Sequence, residues 1–371
     1  MTGGRVLIGE VFAAADDLDA ARLQRRAALL SRTGGGTLIA PVLADERVLF
    51  PGVRHIPVRV APGLSRDRVA SVVADEVGEL LDALRPRLVH CVGLATAIPA
   101  ILRRRPSAAV IVEPGILPSQ WLRDHEPKTP PERMVDLVEL EDKTLTRADA
   151  VVVRSNIEAA TLVRRGVTSE KLHTARDGLP MGVDVGELPG MPHVLCICDC
   201  EPWSAWGLPM EALVRIKTPW RLTMVVPADA PGGQIEAHAR ALHVSERVTV
   251  SRDPSLENVV SRLDAAQLVI CALSTSRSVE AGSVVPAAVL WALAAGRPLL
   301  APDLPVVRAY AGPGAAYYST GDAGSLAARL GPLMESVDAR EALAEAALGA
   351  AESLDWSETE QPVADLWSVL G

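Results

Sequence analysis

What the chain lacks narrows it first. It opens with MTGGRVLIGEVF, a strand-like run with one Arg, and not with a charged segment followed by a long apolar stretch, so no secretory signal is expected. Its longest apolar run, VVPAAVLWALAAG at 284–296, has an early Pro and is too short to span a bilayer. No Gly-x-Gly-x-x-Gly follows the first apolar run, which removes a nicotinamide or flavin fingerprint. A Gly-x-Ser-x-Gly elbow, a Walker loop and a His-Glu-x-x-His are all missing, as are repeats and low-complexity tracts. Positive charge is short: 37 Lys and Arg stand against 46 Asp and Glu, a net charge of -9. That argues against nucleic acid as the partner. Basic patches such as Leu102-Arg103-Arg104-Arg105 allow at most peripheral contact with an anionic membrane, and a solvated loop is the leading reading. The expectation is a soluble, cytoplasmic protein.

Cysteines are few and odd in number, five in all, which fits a reducing compartment. Cys196, Cys198 and Cys200 recur at period two and would share one face of a strand. Small buried residues on a central strand are the leading reading, since zinc sites favour turn-borne Cys-x-x-Cys pairs. No metal and no cofactor is expected.

What is there is a core large enough for two domains: 371 residues, 49 % hydrophobic and 22 % charged. Apolar strand-length runs alternate with helical segments from end to end. RVLIGEVF (5–12), TLIAPVL (37–43), RHIPVRV (54–60), LVHCVG (88–93), AAVIVEP (108–114) and AVVVRS (150–155) are separated by helices near 16–32 and 67–85, among others. ELPGMPH (187–193) then breaks the pattern, which restarts at VLCICDC (194–200), RLTMVVP, RVTVSR, LVICAL and PLLAPD. Continuous apolar strands with helices between them mean parallel sheets covered on both faces. The predicted architecture is therefore α/β: two doubly wound Rossmann-like domains, 1–187 and 188–355, facing a cleft. A tail helix over 356–371 follows, with Ser357 and Glu360 at capping-box spacing.

Ligands of such sheets bind outside the carboxyl ends of the strands. The residues just past each run include Glu10, His90, Glu113, Ser155, Asp177, Gly178, Cys200, Glu201, Ser274 and Asp303. His90 reads either as a structural hydrogen-bond donor or as a base. Glu113 stands before Pro-Gly, where turn chemistry asks for no acid.

Residues 139–184, ELEDKTLTRADAVVVRSNIEAATLVRRGVTSEKLHTARDGLPMGVD, resemble the end of the amino-terminal domain of family 4 glycosyltransferases, which have the two-domain GT-B fold. The pieces are Ala148-Asp149, Val151 to Ser155, Gly166-Val167 and Asp177-Gly178. LDAAQLVICALSTS (263–276) and LWALAAGRPLLAPD (290–303) resemble the family's second half, and WSETEQPVADLW its returning tail. The resemblance implies retaining transfer of a sugar from a nucleotide-sugar to an acceptor, with the nucleotide-sugar as substrate and no metal. It also implies an Arg and a Lys for the diphosphate, and two glutamates eight positions apart for the sugar and ribose. Here Glu201 and Trp206 fall where the basic pair would be, and Ser283 and Trp291 where the glutamates would be. Arg277, Glu280 and Ser274 form a possible substitute set, with Glu113 and His90 on the acceptor side; the same residues also read as plain loop residues. Two classes stay open: an enzyme with a rebuilt donor site, and a catalytically silent relative acting as a ligand-binding subunit or beside a partner glycosyltransferase subunit. A GT-B epimerase is a more distant third.

Overall fold

The computed structural model describes residues 4–11, 18–43, 50–180, 182–190, 193–228, 230 and 233–371. The chain divides into two compact units. The first holds Met1–Asp177, Ala281–Ser283 and Ser357–Gly371; the second holds Gly178–Glu280 and Val284–Trp356. The division thus falls at 177/178, where the sequence alone suggested 187/188.

The first unit is built on seven parallel strands: β1 (Arg5–Gly9), β2 (Gly36–Val42), β3 (Val53–Arg59), β4 (Leu88–Val92), β5 (Ala109–Glu113), β6 (Ala150–Val153) and β7 (Leu172–Thr174). Their order is β3-β2-β1-β4-β5-β6-β7, so the winding reverses between β1 and β4. Runs such as AVVV in β6 are buried throughout, because helices cover both faces of the central strands, while the edge strand β3 meets water. One face carries Val6, Ile8, Val89, Val110 and Val151. The other carries Leu7, Leu38, Leu88 and Ile111, together with Leu23 and Leu30 of the helix Leu18–Arg32 and Val363, Leu366 and Trp367 of the tail helix Trp356–Leu370. Alternate strand residues therefore split cleanly between two cores.

The second unit repeats the plan with six parallel strands: β8 (His193–Ile197), β9 (Arg221–Val225), β10 (Val248–Ser251), β11 (Leu268–Ile270), β12 (Leu299–Pro302) and β13 (Ala315–Tyr318). Their order is β10-β9-β8-β11-β12-β13, and the winding reverses between β8 and β11. The helix Ala287–Ala294 starts behind Pro286 and stops before Gly296, whose φ of 56 favours glycine.

Several details differ from the sequence reading. β1 stops at Gly9, short of the run to Phe12; Phe12 and the expected start of the first helix near residue 16 lie outside the described residues. β8 ends at Ile197, so Cys198 and Cys200 lie beyond it and the three thiols do not share a strand face. Cys200 takes a left-handed backbone (φ 57), and its Sγ stands 3.9 Å from that of Cys198. Among the described residues no three metal-ligating side chains converge. The tail helix begins at Trp356, so Ser357 lies inside its first turn. Glu360 is buried and takes Arg32 Nη2 at 2.5 Å instead of turning back to a cap.

Candidate functional site

In the first unit the carboxyl end of the sheet is lined with buried charge. The helix Leu18–Arg32 presents Arg22 and Arg26 one turn apart toward the strand ends. Arg22 Nε and Nη2 donate to both Asp177 oxygens at 2.6 and 2.7 Å, a bidentate pair. Arg26 Nε donates to Glu113 Oε1 at 2.6 Å. The same oxygen lies 3.0 Å from His90 Nε2, and His90 Nδ1 accepts the Trp367 indole N–H at 2.9 Å. Accepting at Nδ1 leaves the ring's proton on Nε2, facing the carboxylate.

The protonation states follow. Desolvation lowers the His90 pKa and outweighs the raising effect of Glu113, so the ring is neutral. For Glu113 burial opposes ionisation, but the Arg26 charge and the His90 hydrogen bond hold its carboxyl well below the usual carboxylate range. Glu113 ends β5, as expected, whereas His90 is in the middle of β4 and not past its end. Both are almost fully enclosed, at 4 % and 1 % exposure. They form a structural chain from the first helix to the tail helix, and as they stand neither reaches a ligand. Asp177, committed to Arg22, has the same standing. Gly178 serves by its missing side chain: a Cβ there would come 2.5 Å from the Trp356 ring.

At the β1/β4 reversal lies half-buried Glu10, which sequence reasoning noted without a role. Its carboxylate accepts from Thr96 N at 2.7 Å, at the start of the helix Leu94–Leu102. Gly93, with φ 119, makes the space, since a Cβ would meet the Glu10 carboxyl carbon.

In the second unit the corresponding reversal lies between β8 and β11. The loop after β8 turns on Asp199, which accepts Trp203 Nε1 at 2.8 Å, Glu201 N at 3.2 Å and the Ser204 hydroxyl. The loop then folds onto the segment after β11. Ala205 N donates to Ala272 O at 2.9 Å, and Ser274 N donates to Trp203 O at 2.6 Å. Glu201 and Trp206, in place of a basic pair, are both half-buried. Trp206 meets the His238 ring edge-on at 5.6 Å.

Beyond Ser274 a one-turn helix, Arg277–Glu280, carries an exposed ion pair, Arg277 Nη1 to Glu280 Oε2 at 3.2 Å. Ser283 is buried and belongs to the first unit. Trp291 is half-buried, on a helix where Ala288, Val289, Leu290, Ala292 and Leu293 are all buried. It is therefore not a core tryptophan. Within the second unit Ser274, Arg277 and Glu280 come together on one loop. Glu201 and Trp206 belong to the neighbouring loop, which is bonded to Ser274. The residues missed by sequence reasoning are Arg22, Arg26, Trp367 and Asp199. The two arginines four apart in a helix with apolar Leu23, Ala27 and Leu30 were the available signal.

Residues 13–178 match the glycosyl transferase 4-like domain. No curated protein matches the chain. Among solved structures, sucrose-phosphate synthase from Thermosynechococcus elongatus superposes with a TM-score of 0.80 at 16 % identity, over 99 % of both chains. The α,α-trehalose-phosphate synthase from Burkholderia xenovorans, in complex with glucose-6-phosphate, gives 0.73 at 10 % identity over 99 % of both. Anabaena HepE, in complex with UDP and glucose, gives 0.70 at 14 % identity over 99 % of this chain and 100 % of that one. Likeness at such identity speaks for the fold. That fold is GT-B, two Rossmann-like units in one chain. The family match falls on the first half of the chain, almost wholly within the first unit.

Proposed function

We propose that this protein is a glycosyltransferase that moves a sugar from a nucleotide-sugar to a small-molecule or glycan acceptor, and that its donor site is atypical. The observation that carries the reading is Trp291, half-buried on the face that it shares with Ala287 and Ala294 of a helix whose other residues are buried. A flat aromatic face suits a ribose or base where the family's glutamate is missing. The leaving diphosphate needs donors or positive charge. The backbone N–H groups of Val284, Val285 and Ala287, around the start of the helix, supply the first, Pro286 having none. Arg277 supplies the second, because an exposed pair with Glu280 costs little to open. Ser274 adds a hydroxyl. The chemistry is retaining by family resemblance. The UDP bound by Anabaena HepE makes a uridine nucleotide the first donor to try.

Calorimetric titration with UDP, GDP and their parent nucleosides tests this. Arg277→Ala should weaken the diphosphate far more than the nucleoside. Equal loss for both removes Arg277 from the phosphate role.

A second reading, a silent relative that binds a ligand or supports a partner glycosyltransferase subunit, is favoured by the enclosure of Glu113 and His90 in a closed ion-pair chain. Under that reading the nucleotides bind or fail to bind, but no sugar is released.

A further inference from the structure

The amino-terminal rim of the first sheet, opposite the strand ends that hold Glu10 and Glu113, collects arginines. Arg85 and Arg87 lead into β4, Arg103, Arg104 and Arg105 lead into β5, and Arg147 closes the helix before β6. All six are on the surface. Backbone and side-chain bonds hold them together: Ala109 N donates to Arg87 O at 2.8 Å, and Arg104 Nη1 to Arg147 O at 3.2 Å. Adjacent strands lie about 4.8 Å apart, so the cluster covers a compact patch.

Two carboxylates touch it. Asp82 takes Arg103 and Asp149 takes Arg104, each at 2.9 Å. Arg85, Arg87, Arg105 and Arg147 make no ion pair among the described residues. Helix C-termini favour a nearby cation, and that accounts for Arg85, Arg103 and Arg147. It does not account for Arg87 and Arg105, which lie beyond the helix ends. Arg85 also holds a left-handed helix cap, φ 49, where glycine is the easy residue. In the middle of this charge Leu102 stands 69 % exposed. A surplus of cations in a chain of net charge -9, around one projecting apolar side chain, has the composition of an interfacial anchor.

We infer that this rim docks on a membrane surface bearing anionic headgroups, with the unpaired arginines meeting phosphates and Leu102 entering the headgroup boundary. The exposed leucine favours lipid over a soluble polyanion, which has no apolar layer to receive it. The inference does not depend on the donor-site reading, because the rim shares no residue with the 274–291 segment.

Sedimentation with vesicles of phosphatidylcholine, with and without phosphatidylglycerol, is the test. Binding should require the anionic lipid and weaken with salt. Arg87→Glu with Arg105→Glu should lower partition by about ten-fold or more. Arg240→Glu with Arg329→Glu, the same charge change at exposed sites of the second unit, should change it much less. Leu102→Ser should lower partition without altering the salt dependence, at an unchanged melting temperature. Equal loss in both arginine pairs would overturn the inference, as would binding to zwitterionic vesicles alone. So would tight binding to heparin that Leu102→Ser leaves untouched, which would make an acidic macromolecule the partner.

Discussion

The two sheets wind alike and treat charge differently. In the first unit buried arginines meet buried carboxylates: Arg22 with Asp177, Arg26 with Glu113, and Arg154 with Glu158. Glu141 is buried as well, accepting both Ser119 N and Oγ at 2.6 Å and pairing with Arg165 at 2.7 Å. In the second unit the buried arginines are Arg297 and Arg340, and both donate to backbone carbonyls: Leu263 O and Gly186 O for the first, Leu333 O for the second. Its pairs Arg277–Glu280 and Arg308–Asp303 lie at the surface, and Arg297 reaches a carboxylate only at 3.7 Å, the exposed Asp264. A buried pair fixes its partners, because removing one strands a charge. A surface pair costs little to open. The first unit therefore uses its strand-end charges as structure, whereas the second carries the Arg277–Glu280 pair at its surface.

The largest expected effect is on the first unit. Glu113→Ala leaves Arg26 buried and unpaired, and should cost about 3–5 kcal/mol in denaturant unfolding. Replacing both, Arg26→Met with Glu113→Leu, should recover most of that loss. If the double variant is as unstable as the single, the ion pair is not what Glu113 is for.

Next comes the tail helix. Trp367→Phe removes the indole donor and leaves buried Nδ1 of His90 unsatisfied, at about 1–3 kcal/mol. Hydrogen exchange should report it as faster opening of residues 357–370 ahead of β8–β13. Uniform loosening of both units would deny that the tail is held by this bond.

The pH dependence is smaller and has a definite sign. The folded His90 pKa lies below its ordinary 6.5, so the unfolded chain binds more protons in that range. Its contribution is whole above 6.5 and is lost as pH falls through the folded value; that of Glu113 is lost below its ordinary 4.5. Melting temperature should decline on acidification from near neutrality, and His90→Asn should flatten the upper part of that decline.

Much of the fold was legible because it is written in local pattern. β6 and β12 are unbroken apolar runs, and Pro286 and Gly296 bracket their helix. The short strand β7 was marked only by Asp177 and Gly178 after it, and β13 escaped notice. One holds a His and a Thr, the other two Tyr, and neither has the β-branched run that marks the rest. The candidate site was legible only as positions. That Glu113 follows a strand could be read; that Arg26 and Trp367 close over it could not, because 277 residues separate Trp367 from His90 and no spacing rule links them. In the second unit the absence of a basic pair was plain in residues 198–208, but the turn of Asp199 onto Trp203 and Ser204 depends on three-dimensional closure.

The smallest stability effect marks the second unit. Arg277→Ala should alter unfolding by no more than about 0.5 kcal/mol, as at an ordinary surface position. Diphosphate affinity should nonetheless fall. A large loss of stability would place Arg277 in the architecture and erase the contrast with Arg26.

The proposed donor site would have the second unit hold a nucleotide-sugar. The direct measurement is release of nucleoside diphosphate from UDP- and GDP-sugars, followed by mass spectrometry with the wild type and with Arg277→Ala and Trp291→Glu, each variant checked by a melting curve. The account predicts release from at least one donor by the wild type, and its loss in both variants at unchanged melting temperature. Absence of both release and nucleotide binding in the wild type would contradict it.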